Sequence, residues 1–113
     1  MKLPPDSIIA RSKITHYLLA WQSSGDKSRF LQLAGYNSSM ADELIHDIRA
    51  QILIHEAVAA EVTEHGQYYE IASPLAGPNG RILDIRTIWM REHLSGQMKF
   101  ITLIPAKKRE NDR

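Results

Sequence analysis

The chain has 113 residues, 43% hydrophobic and 24% charged, with 14 basic against 13 acidic side chains; one domain with one ordinary core is expected, and global charge singles out no polyanion partner. It contains no cysteine, which excludes disulfide scaffolds, thiol nucleophiles and thiolate metal sites. With no apolar run near the roughly 20 residues of a membrane-spanning helix and no signal-peptide core, the expectation is a soluble, cytoplasmic protein without a membrane partner, secretion by a signal-independent route being left open.

Pro4-Pro5 rules out a helix at the very start. Beyond it, Ile14, Tyr17, Leu18 and Trp21 recur at the spacing of an amphipathic stripe, which predicts a first helix at about 12–21. Ser23-Ser-Gly-Asp26 is a loop able to cap a short second helix at about 27–34, with Phe30, Leu33 and Ala34 as its buried face and Gly35 as its stop. Asn37-Ser-Ser39 precedes the clearest helical pattern, Ala41, Leu44, Ile45, Ile48 and Ile52. Ser39 and Asp42 are spaced as a capping box, and the third helix is expected over about 40–59.

From Gly66 the apolar period changes to 2, and β-branched and aromatic residues dominate, so a meander is predicted over about 66–105. Gly77-Pro-Asn-Gly80 supplies a turn. On the strand that follows, Leu83, Ile85, Thr87 and Trp89 form one face, read as the core face, while Asp84, Arg86, Ile88 and Met90 form the other. A hairpin centred on Leu94 puts Arg86 opposite Thr102 and Ile88 opposite Phe100, giving an open face of Asp84, Arg86, Ile88, Phe100 and Thr102. The whole reads as a single α+β domain over 1–113: three N-terminal helices packed on a C-terminal three- to four-stranded antiparallel β-meander, with a frayed tail at 107–113.

Five histidines are present, but His16, His46, His55, His65 and His93 show no metal-ligand spacing, so no metal or cofactor is expected. For the last four, a solvated or hydrogen-bonded structural role is the ordinary reading. His16 stands apart because Gly25-Asp-Lys-Ser28 follows it and opens a helix. Lys27 at that helix N-terminus is either a phosphate-binding cation or an exposed lysine beside Asp26. Arg86 and Thr102 likewise have two readings: guanidinium and hydroxyl converge on a phosphoryl oxygen, or Arg86 pairs with Asp84 or Glu70 across the sheet and Thr102 is an ordinary strand former. Thr87 and Trp89 are read as core packing.

The blocks Lys13-Ile-Thr-His-Tyr-Leu-Leu19, Gly25-Asp-Lys-Ser-Arg-Phe-Leu31, Leu33-Ala-Gly-Tyr36, Leu75-Ala-Gly-Pro-Asn-Gly-Arg81, Ile85-Arg-Thr-Ile-Trp89 and Phe100-Ile-Thr-Leu-Ile-Pro105 resemble DUF6883, a bacterial family of uncharacterised small domains, over about residues 1–106. More distantly, a helix with a histidine, a Gly-x-Lys-x-x-Phe helix start and a meander ending in Thr-x-x-Pro are similar to the metal-independent ribonuclease toxins of the barnase, EndoU, colicin and RelE-like group. That second resemblance implies cofactor-free cleavage of RNA by 2′-hydroxyl attack. Catalytic roles would fall to His16, Arg86 and Thr102, phosphate binding to Lys27 and Arg86, and the partners would be RNA and a cognate antitoxin or immunity protein. The competing expectation is a non-catalytic protein-binding module, an antitoxin, immunity or phage-related accessory protein, using the open sheet face or the edge of the meander.

Overall fold

A computed structural model describes residues 1–19 and 28–106. Trp21, Lys27 and the tail at 107–113 lie outside the described residues. The domain is α+β, with helical segments gathered between residues 11 and 52 and a four-stranded antiparallel sheet in the order β1-β2-β3-β4. Its strands are β1 (Val58–Val62), β2 (Gly66–Ala76), β3 (Ile82–Glu92) and β4 (Met98–Pro105). Among the described residues no helix is long and apolar enough to cross a membrane.

The helices do not begin the structure. Residues 1–9 form an extended strap that bridges Glu56 through Lys2 and Lys99 on β4 through Ile8. Two prolines exclude helix there, and Leu3 and Ile9 bury their side chains in the core. The Arg49 guanidinium fastens the strap by donating to the carbonyls of Pro5 at 3.2 Å and Ser7 at 2.8 Å.

Helix α1 (Arg11–Lys13) runs into a π-helical turn at Ile14–Leu18 that buries Ile14, Leu18 and Leu19. Helix α2 (Ser28–Gln32) is shorter than predicted, because the amides of Leu33, Ala34 and Gly35 bond three residues back in tight turns. That tightening buries Leu31 and Ala34 and leaves Leu33 exposed, reversing the expectation for Leu33. Helix α3 (Ala41–Asp47) continues into a π-helical turn at Ile48–Ile52. The predicted capping box is absent: Ser39 donates twice to Asn37 Oδ1, at 2.9 and 2.6 Å, and Asp42 accepts from Arg11 Nε at 2.9 Å.

The third helix was expected to reach residue 59, but it stops at Ile52 and the chain re-forms as β1. Alanines 57, 59 and 60 suit a helix, yet the strap takes the Ala57 amide to the Met1 carbonyl at 2.7 Å. Pairing with β2 then sets Val58 opposite Glu70 and Ala59 opposite Tyr69, so tertiary pairing overrides propensity.

Ile71, Leu75, Leu83, Ile85, Trp89, Phe100 and Leu103 from the sheet join Ile14, Leu18, Leu31, Leu44, Ile48 and Ile52 from the helices in one core. Each such side chain contributes about 1.5–3 kcal/mol by leaving water. The β3–β4 register differs from the expected one: Arg86 pairs with Ile104 and Ile88 with Thr102. The turn closes one position later, between Glu92 and Gln97, and a bulge between Ile88 and Trp89 adds a second slip. The later closure already sets Phe100 opposite Trp89 on the core face, where its ring meets Trp89 edge-on at 5.3 Å and 76°, and the bulge returns Thr102 to the Ile88 face.

Candidate functional site

The helices cover the Ile71, Ile85, Thr87 and Trp89 side of the sheet. Strand alternation therefore sends Tyr68, Glu70, Ala72, Asp84, Arg86, Ile88 and Met90 to the other side. Cross-strand partners give this face two adjacent rows, Val58–Glu70–Ile88–Thr102 and Ala72–Arg86–Ile104. Met90 is buried yet lies outside the main core cluster, as its place on this face requires. Ile82, at the far end of the same face, and Val58, at its edge, are exposed. The face is apolar in most positions, and among the described residues no helix packs on it.

At its centre Arg86 Nη1 donates to Glu70 Oε1 at 3.0 Å, with the two side chains 40% and 32% exposed. Half-solvated pairs of this kind contribute at most about 1 kcal/mol. Thr102 sits diagonally from Arg86, about 7–8 Å away along the sheet. Asp84, one row beyond Arg86 and opposite Pro74 on the same face, joins Glu70 to leave two carboxylates to one cation around Arg86, a local sign that does not attract phosphate. Farther along, Lys99 is tied to Glu92 at 3.3 Å. The Glu92 carboxyl is held below the usual carboxylate range, first by the Ser95 hydroxyl and then by Lys99.

His16 lies on the π-helical turn after α1 and is exposed. The segment that carries it packs on the core side of the sheet, whereas Arg86 and Thr102 project from the opposite side. The structure thus groups Arg86 and Thr102, adds Glu70 to them, and does not bring His16 to that group. Lys27 falls outside the described residues. Among the described residues, no group of three His, Asp or Glu side chains is placed to hold a metal ion.

Several motif residues have structural work instead. Asn79 donates through Nδ2 to the Leu33 carbonyl at 3.1 Å and through its amide to Ala34 at 3.2 Å, and its Oδ1 accepts from the Arg81 amide at 2.9 Å. The Gly77-Pro-Asn-Gly80 turn is thereby clamped onto the Leu33-Ala-Gly-Tyr36 turn. A Cβ on Gly77 would stand 2.2 Å from the Ala34 carbonyl oxygen, so only glycine permits this approach. Tyr36, buried, donates its hydroxyl to Asp47 Oδ2 at 2.5 Å. Burial first, and the Asp47 carboxylate second, push the phenol well above its ordinary range.

Sequence reading missed the wall of the open face formed by Val58, Ala59 and Ala60, because that segment was assigned to a helix. The available signal was Val58 and Val62 flanking a short run just before the Thr63–His65 turn. The described family "Domain of unknown function (DUF6883)" matches residues 5–107, and the chain belongs to that family. No curated protein and no solved structure matches the chain.

Proposed function

We propose that this DUF6883 member is a non-catalytic protein-binding module whose interface is the uncovered sheet face. One observation carries the reading: Val58, Tyr68, Ala72, Ile82, Ile88 and Ile104 lie on a face that no described helix covers, a pattern typical of protein docking surfaces. The central Arg86–Glu70 pair fits such a surface as a polar element that fixes orientation. An antitoxin, immunity or phage-related accessory protein would use a face of this kind. A photoreactive residue placed at Ala72 or Ile88 is expected to crosslink one protein species in host cells, while the same residue at Glu43 on α3 does not. Crosslinks that are absent, or equal at all three positions, overturn the reading.

The proximity of Glu70, Arg86 and Thr102 favours a second reading, metal-independent RNA cleavage on the same face. A carboxylate can take the 2′-hydroxyl proton while guanidinium and hydroxyl donate to the phosphate. Two carboxylates against one guanidinium weigh against it. RNA cleavage in EDTA that disappears in Arg86→Ala and Glu70→Gln but persists in His16→Ala would establish this alternative; absence of cleavage by the native chain removes it.

A further inference from the structure

Of the three asparagines in the chain, only Asn79 is followed by glycine. Asparagine is a chemically labile side chain, and a glycine after it matters because no Cβ screens the next backbone nitrogen. A Cβ built on Gly80, whose φ is +87°, would meet nothing within 4 Å, and both residues are exposed in the turn between β2 and β3. Intramolecular attack is therefore open: the Gly80 nitrogen gives up its proton and bonds to Asn79 Cγ, the Cγ–Nδ2 bond breaks, and Nδ2 leaves with that proton as ammonia. Water then opens the succinimide at either carbonyl, leaving an aspartate or an isoaspartate linkage. The net change is one water taken up and one ammonia released.

The folded turn engages the atoms of that step. The Gly80 N–H, whose nitrogen attacks, donates to the Gly77 carbonyl at 3.0 Å. Nδ2, the leaving group, donates to the Leu33 carbonyl at 3.1 Å. Cγ packs beside Gly35, where an added Cβ would stand 3.3 Å from it. One contact assists instead: the Arg81 amide donates to Oδ1 at 2.9 Å, the oxygen on which charge collects as the new bond forms. Reaction thus requires release of the first two hydrogen bonds and not of the third. Exposed turns open locally at low free-energy cost, so the clamp sets how fast Asn79 converts.

We propose that Asn79 is a self-modification site whose deamidation is a one-way release of the clamp between the turn at 77–80 and the turn at 33–36. Before conversion Nδ2 presents a donor to the Leu33 carbonyl; afterwards an ionised carboxylate, an acceptor only, faces that oxygen. An isoaspartate also adds one carbon to the backbone inside a turn where Gly77 already stands against Ala34, so the close approach cannot re-form. The helical layer then loses its tie to the hairpin, while the pairing of β2 with β3 along residues 66–76 stays as it is. This inference is independent of what the open sheet face binds.

The test ages the full chain and a free peptide of residues 75–81 side by side at mildly alkaline pH, and follows aspartate and isoaspartate at position 79 by peptide mapping. Both should convert, the folded chain about tenfold more slowly, the factor that an opening cost of roughly 1.4 kcal/mol imposes. Asn37, which precedes Ser38, is the internal control and should stay intact over the same period. Gly77→Ala, with unchanged amide signals at Ile88 and Thr102 as proof that its sheet is folded, should convert at a rate approaching that of the peptide. Asn79→Asp, a direct copy of one product, should lower the melting temperature and shift the amide signals of Gly35 and Arg81 while those of Ile88 and Thr102 stay in place. An Asn79 that stays intact in the folded chain and in Gly77→Ala, or that converts equally fast in folded chain and peptide, overturns the inference. So does an Asn79→Asp chain that melts like the native one with the Gly35 and Arg81 signals unmoved.

Discussion

Thr87 and Trp89 point from β3 into the core, where the indole Nε1 donates to the Thr87 hydroxyl at 2.8 Å and that hydroxyl donates to the Ile71 carbonyl at 3.4 Å. Arg86, one residue away, points from the opposite face and gives its guanidinium to a half-exposed glutamate. On the first face every polar atom serves to make burial tolerable: an unmatched indole N–H would cost about 1–3 kcal/mol. On the second face the charges are held at the surface, where their mutual attraction contributes little to folding. Polar residues in the same strand thus divide into those the fold needs and those it merely carries. The ones carried are the candidates for function.

Breaking the core side gives the largest effect. Trp89→Ala is expected to destabilise the fold by about 3–5 kcal/mol, read as a lowered denaturation midpoint. It removes the ring that meets Phe100 and the donor that engages Thr87 together. A loss below about 1 kcal/mol would mean that Trp89 is not packed as described.

Tyr36 sharpens the same contrast within the helical layer, where its hydroxyl meets Asp47 beside the buried ring. Tyr36→Phe should cost about 1.5–3 kcal/mol, the range for a hydrogen bond to a charged group. Its pH dependence has a definite sign. The folded-state phenol titrates above its ordinary value of 10.0, so its contribution is fully present below pH 10 and declines as the pH rises beyond it, where the unfolded chain loses that proton. The difference in unfolding free energy between the native chain and Tyr36→Phe should be flat from neutrality to that point and shrink above it.

Next in size is the clamp between the two turns. Gly77→Ala places a methyl against the Ala34 carbonyl, and overpacking of this kind costs about 1–3 kcal/mol. Melting should fall while the Arg86–Glu70 side of the sheet keeps its chemical shifts. Parallel loss at both places would show that the clamp positions the open face.

How far these features could be seen in advance depends on the range of the forces that set them. The 3.6-residue stripe of Ala41, Leu44, Ile48 and Ile52 and the alternation of Leu83, Ile85, Thr87 and Trp89 are local, and both were legible. So was the turn at Asn79-Gly80, although only Gly80 adopts positive φ there. The end of the third helix was not, because its alanines are drawn into β1 by partners 56 and about ten residues away along the chain. The face of Phe100 was hidden because the β3–β4 turn closes one residue later than a hairpin centred on Leu94 would, and a slip of one residue sends a side chain to the other face. Arg86 and Thr102 were legible as polar strand residues. That they share a face with Glu70 and not with His16 follows from layer order, which no spacing reports.

The smallest expected change in stability falls on the pair with the largest expected change in binding. In a double-mutant cycle on Arg86→Ala and Glu70→Ala, the coupling energy for folding should lie below about 1 kcal/mol, because both side chains keep solvent access. Partner crosslinking from Ile88, which lies in the Glu70 row beside Arg86, should nevertheless collapse in either single variant, since an interface is sensitive to the placement and sign of its central charges. A folding coupling of several kcal/mol with crosslinking intact would reverse the assignment. Arg86 would then belong with Thr87 and Trp89 as a residue the fold needs, and the open face would lose the feature that sets it apart.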